Sequence, residues 1–180
     1  AWMAFRLGDD TAAKLGRLTL NPMAHLDPVG SIALLLMGFG WAKPVPVDVR
    51  YLRKPKEDMV KVAAAGPISN LLLAVIAALC LRFLFGNNLL TGHIKSFIVI
   101  FMQINITLAI FNLLPVSPLD GSQILSPFIE RKFGIEMVYK MEMYGPRVLF
   151  FIIIFSMVTG IHLFSFIINP IFNLFLYIFF

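Results

Sequence analysis

The sequence predicts an all-α fold: a polytopic transmembrane helical bundle with three clear spans, one partial or re-entrant apolar element and amphipathic surface helices. Three observations predict it. The 180 residues are 59% apolar and only 14% charged, where a soluble domain carries far more charge. The mean hydropathy of +0.85 is concentrated in long apolar runs, and a spanning helix needs about 20 such residues. The in–out alternation of a membrane barrel is absent, and a bilayer admits only helices or closed barrels.

Residues 1–7 read as the end of a helix, stopped at Gly8-Asp9-Asp10. Residues 8–28 read as a polar connection with turn signals at Asn21-Pro22 and Asp27-Pro28. Residues 29–41 are apolar but too short for an upright crossing, so they form a re-entrant or tilted element. A basic loop follows over residues 42–61, with Lys43, Arg50, Arg53, Lys54, Lys56 and Lys61. Residues 62–85 form the first clear span, in which Pro67 kinks or starts the helix. Gly66 beside it permits close backbone approach.

A turn over residues 86–95 carries Gly86, Asn87, Asn88 and Gly92, and the second span covers residues 96–114. The mixed stretch from Ile124 to Tyr144 suits two amphipathic surface helices divided near Gly134. The third span covers residues 147–168 and is broken by Asn169-Pro170, leaving ten residues too few to cross again. The chain opens within a helix tail and closes within an apolar run, so both ends read as cut. Residues 1–180 are expected to be one membrane-embedded domain, truncated at the N-terminus, with the C-terminus also reading as cut.

The net charge of +5 comes from bases in loops beside apolar runs. They suit an anionic membrane surface rather than nucleic acid. The positive-inside rule places the loops at 42–61 and 115–146 in the cytoplasm, with the plasma membrane of a prokaryote as the expected location. A single cysteine, Cys80, allows no disulfide and no thiolate metal cluster. It reads as a small core residue.

The search for chemistry starts at Asp120. It follows Asn112-Leu-Leu-Pro115-Val-Ser-Pro118-Leu119 and precedes Gly121, at the end of an apolar run. A carboxylate there is costly and marks a functional site. Asn112 and Asn70 are amides near membrane depth, which need partners. They either join helices or face a site. His25 and Asp27 are two apart in a loop, a spacing with no fixed metal geometry, and a hydrogen-bonded structural histidine is the plainer reading. His93 reads as a solvated turn residue and His162 as an interfacial or bundle residue. Ser122 is placed to bond the Asp120 carboxylate. Neither Ser117 nor Ser122 has a base that makes it a nucleophile. The phenylalanines at 150, 151, 155, 164 and 166 read as lipid-facing or packing residues.

Asn112 to Gly121 resembles the Asn-x-x-Pro-x-x-x-Leu-Asp-Gly motif of the site-2 protease family, the intramembrane zinc metalloproteases. Ala65-Gly66-Pro67-Ile68-Ser69-Asn70 resembles the family's Ala-Gly-Pro-x-x-Asn element. Residues 21–30 and 40–47 are similar to segments of its compact bacterial and archaeal branch. The resemblance implies zinc as cofactor, a transmembrane protein or peptide as substrate, and the bilayer as surroundings. It implies Asp120 as a metal ligand, with Asn112 and Asn70 steadying the substrate backbone or an oxyanion, and His25 near the site. In the family a His-Glu-x-x-His helix supplies two more ligands and the catalytic glutamate, because residues four apart share a helix face.

That motif does not occur in these 180 residues, whose histidines are His25, His93 and His162. The resemblance sets it immediately before Ala1. The residues present are then expected to bind zinc weakly or not at all, and not to hydrolyse peptides. The alternative is a non-catalytic relative that binds transmembrane segments. A small transporter is disfavoured, because paired intramembrane charges and symmetric broken helices are missing.

Overall fold

The computed structural model describes residues 1–37, 40–86, 92–160 and 164–179. Asn87, Asn88 and His162 lie outside them. The described residues are helical, with a single isolated bridge, Leu26 to Ala42, and no strand. Among the described residues three helices are long and apolar enough to cross a membrane. The chain divides into two compact units, residues 1–62 and 63–180.

The first unit contains short helices α1 (Trp2–Arg6) and α2 (Thr11–Lys14), helix α3 (Pro28–Met37) and the start of α4 (Pro55–Gly86). Its organising residue is Asp9, which has no exposed surface. One carboxylate oxygen accepts from the Thr11 amide at 3.0 Å and its hydroxyl at 2.5 Å. The other accepts from the Asp48 amide at 2.9 Å, 39 residues away. Asp27 caps α3 by accepting from the Gly30 amide at 2.8 Å, with Pro28 in the first helical position, where a missing N–H costs nothing. A Cβ on Gly30 would stand 2.1 Å from the Trp41 carbonyl oxygen. Only glycine lets α3 and the extended segment approach so closely.

Helix α4 starts seven residues before the expected span. Pro55 opens it, Glu57 and Asp58 fill its first turn, and the Asp58 carboxylate accepts from the Lys54 amide at 2.8 Å. These are N-terminal signals that a hydropathy criterion does not see.

The second unit holds the rest of α4, α5 (Gly92–Asn112), α6 (Asp120–Phe133), α7 (Ile135–Thr159) and α8 (Ser165–Phe179). Ala74, Ala77 and Ala78 of α4 meet Met102, Ile106 and Ile110 of α5 in the core, and Phe172, Phe175 and Phe179 of α8 pack on it. Small residues at three- and four-residue spacing let a neighbouring helix come close. That places Cys80 on the outer side of α4, where it is exposed, so it is not the core residue expected. Arg82 of α4 donates to the Phe179 carbonyl at the end of α8 at 2.9 Å.

The expected pair of surface helices is half right. A break does fall at Gly134, which has a φ of 84°, and α6 lies before it. Residues 135–146 are not a separate surface helix but the first turns of α7, which runs through Pro146 to Thr159. A proline inside a helix forfeits one hydrogen bond, which a membrane helix tolerates. The third span stops at Gly160 in the left-handed conformation, not at Asn169-Pro170, which lie inside α8. His93 is exposed in the first turn of α5 rather than in a loop. Phe150, Phe151, Phe155 and Phe166 are exposed, while Phe164 meets the Phe111 ring edge-on at 5.2 Å.

Candidate active site

The segment after α5 is folded back tightly on itself. The Val116 amide donates to the Leu114 carbonyl at 2.8 Å, and the Leu119 amide to the Val116 carbonyl at 2.9 Å. The Ser117–Pro118 peptide bond is cis. Leu119 then enters α6 from an extended conformation, so Asp120 is the first helical residue. The partial positive charge of a helix N-terminus favours an acid there.

Glycines fix this turn. A Cβ on Gly121 would lie 2.2 Å from the Leu113 carbonyl oxygen, so no side chain fits after Asp120. A Cβ on Gly145 of α7 would lie 2.7 to 2.9 Å from three atoms of Ser117, which is itself buried. Gly66 of α4 faces the carboxylate directly, since a Cβ there would stand 3.1 Å from Asp120 Oδ2. Three glycines on three helices thus bear on the turn and its carboxylate.

Asp120 is half-buried, and burial pushes its pKa up from the ordinary carboxylate value. Among the described residues no hydrogen bond or ion pair answers that cost. Ser122, expected to bond it, is buried and donates instead to the Leu119 carbonyl at 2.8 Å. The hydroxyl closes the first turn of α6 and leaves the acid alone. Four residues further on, Ser126 donates at 3.0 Å to the Gln123 carbonyl, which Pro127 deprives of its helical partner.

Asn70 is one helical turn beyond Gly66, on the α4 face that carries the approach to Asp120. It is half-buried, and its amide has no partner among the described residues. Asn112 closes α5 and donates to the Leu108 carbonyl at 2.9 Å. Asn105, seven residues earlier on the same face, is buried and donates in the same way to the Phe101 carbonyl at 2.8 Å. It was not singled out from the sequence, although the seven-residue spacing of the two amides was visible there. His25 belongs to the first unit. Its Nε2 lies 2.9 Å from the Thr19 carbonyl and its own carbonyl accepts from the Lys43 amide at 2.9 Å. Its neighbour Asp27 is a helix cap.

The chain is 42% identical over 178 residues to "Putative zinc metalloprotease YwhC" of Bacillus subtilis, a match covering 96% of this chain and 78% of that protein. The chain belongs to peptidase family M50, the site-2 proteases. The profile of Peptidase family M50 matches residues 86–156 of this M50 chain, which include Asn112 and Asp120. "Putative zinc metalloprotease Rip2" of Mycobacterium tuberculosis is 29% identical over 135 residues, covering 72% of the chain and 51% of that protein. "Putative zinc metalloprotease MJ0611" of Methanocaldococcus jannaschii is 34% identical over 113 residues, covering 61% and 56%. The matches thus span about half the length of these last two relatives. No solved structure matches.

Zinc is implied by those names, and the donor set can be tested against it. Among the described residues no three His, Cys, Asp or Glu side chains converge, so they do not form a zinc site by themselves. Asp120 fits as one ligand of such a site: an acid held rigidly, partly desolvated and without a partner.

Proposed function

We propose that this M50 chain is part of an intramembrane zinc endopeptidase and that Asp120 is one ligand of its metal. The unpartnered carboxylate on a turn locked by glycines carries the reading. A buried carboxylate without a donor is unfavourable, and a cation is the partner that its surroundings leave room for. The remaining ligands and the catalytic glutamate belong to a His-Glu-x-x-His helix outside these 180 residues. Zinc, when bound, polarises the peptide carbonyl and lowers the pKa of water.

The chain's own residues position and bind. Gly66 sets the distance between α4 and the acid. Asn70, with donors and acceptor free, is suited to hold the backbone of a substrate helix once it unwinds. Asn112 spends one donor on its own helix and has its Oδ1 left for the same task. The substrate in this reading is a transmembrane protein or peptide. The segments at 42–61 and 115–146 face the cytoplasm, in the plasma membrane of a prokaryote, and the whole is one protease-like domain.

The test is metal content and cleavage of a transmembrane reporter by the full-length protein. Asp120→Asn should lower both by at least about 100-fold, beyond the 10- to 100-fold typical of groups behind the ligands, with the thermal midpoint of the metal-free protein nearly unchanged. An Asn70→Ala, Asn112→Ala double variant should keep its zinc and lose cleavage. Full cleavage by that double variant removes the substrate role. Zinc and cleavage retained by Asp120→Asn remove the protease assignment of that residue.

A further inference from the structure

Arg17 stands in the polar connection after α2 and is only 6% exposed. Its Nη2 donates to the Lys43 carbonyl at 2.5 Å and to the Pro44 carbonyl at 3.1 Å. Its Nε and Nη1 are buried and have no partner among the described residues. Water does not reach them, and no carboxylate there pairs with the group. A guanidinium does not shed its proton. The charge therefore stays, and a buried cation without an anion is strongly unfavourable.

The same side chain borders a cavity of about 460 Å³, whose walls include Trp2, Leu18, Thr19, Leu20 and His25. His25 offers little to an anion, because its Nε2 already faces the Thr19 carbonyl. The rim is apolar: Leu20 is fully exposed and Trp2 more than half exposed. The Arg6 guanidinium sits 4.6 Å over the Trp2 ring, and such Trp and Arg residues gather at the membrane–water boundary. A wall with buried cationic donors and an open hydrocarbon rim matches one ligand chemistry that a membrane protein always meets.

We propose that this cavity holds the phosphate of an anionic phospholipid, with the Arg17 guanidinium as its counter-ion and the acyl chains against Leu18, Leu20 and Trp2. Phosphate oxygens accept charge-assisted hydrogen bonds from a guanidinium, which would satisfy Nε and Nη1 after a small rotation of the side chain. The site does not depend on the protease reading, since its readout is lipid retention and not cleavage.

The experiment uses the full-length protein, because the cavity is also bordered by Ala1. The protein is exchanged into equal amounts of phosphatidylglycerol and phosphatidylcholine, and retained lipid is counted by native mass spectrometry. One phosphatidylglycerol should be retained with about a tenfold preference, and Arg17→Gln should abolish the preference. Leu20→Asp, at a fully exposed position, puts a negative charge at the cavity mouth and should weaken the preference several-fold even where Arg17→Gln fails to fold. An undiminished preference in either folded variant overturns the proposal. So does removal of the lipid by millimolar inorganic phosphate, which would assign the site to the free ion, or a polypeptide carboxylate found on Arg17 in the full-length protein.

Discussion

Asp9 and Asp120 are both acids withdrawn from water beside a helix N-terminus, and the molecule treats them in opposite ways. Asp9 is completely covered, yet both of its oxygens are used, by the Thr11 amide and hydroxyl and by the Asp48 amide. Burial raises its pKa, but the bonds from Thr11 and Asp48 outweigh burial and bring it below the ordinary value. Asp120 is only half covered, yet nothing described donates to it, and burial alone moves its pKa upward. The Asp9 pattern stabilises a fold. The Asp120 pattern is a standing cost that the glycine-locked turn maintains, and such costs collect where function needs a group held ready.

The comparison makes its largest prediction about stability. Asp9→Ala leaves two backbone amides and a hydroxyl without their acceptor, at a cost of about 3 kcal/mol. In the metal-free protein Asp120→Asn removes an unanswered charge and should change stability by less than about 0.5 kcal/mol, or raise it. Denaturation of the two variants in one detergent decides the matter. A neutral Asp9→Ala beside a destabilising Asp120→Asn would reverse the roles assigned to the two acids.

The same pair shows what could be read from the residues alone. Asp120 was legible because it ends a hydrophobic run, and the cost of an acid there follows from composition. Asp9 read only as a helix stop, because its value lies in a bond to residue 48 that no local pattern announces. The three spans were legible from hydropathy, but their ends were not. Pro55 and the acids after it marked the start of α4 in capping chemistry rather than in apolarity. The third span was read as starting at residue 147, yet α7 already runs through Gly145-Pro146 and uses the glycine to admit Ser117. Arg17 carries no signal of its own within the polar connection at 8–28, and its burial follows from the fold of Lys43 and Pro44 around it. Gly66 read as a place of close backbone approach, whereas the atom that comes near it is a side-chain oxygen of Asp120, a contact that required the fold.

Gly66 also separates stability from function within the second unit. In the interior of α4, Gly66→Ala should add about 0.5–1 kcal/mol, because glycine is a poor helix former. The new methyl carbon would stand 3.1 Å from Asp120 Oδ2, closer than ordinary contact, so the carboxylate must move by a few tenths of an ångström. A ligand displaced that far should lose about tenfold in zinc affinity or cleavage rate. The full-length variant should therefore melt at the same temperature or higher when stripped of metal, while binding zinc less tightly. Cleavage and zinc binding left intact would mean that the acid has slack, and the turn would then be packing for its own sake. A loss of stability with no loss of zinc would mean that α4 answers to contacts other than the carboxylate, and Gly66 would rejoin the ordinary small residues of the helix.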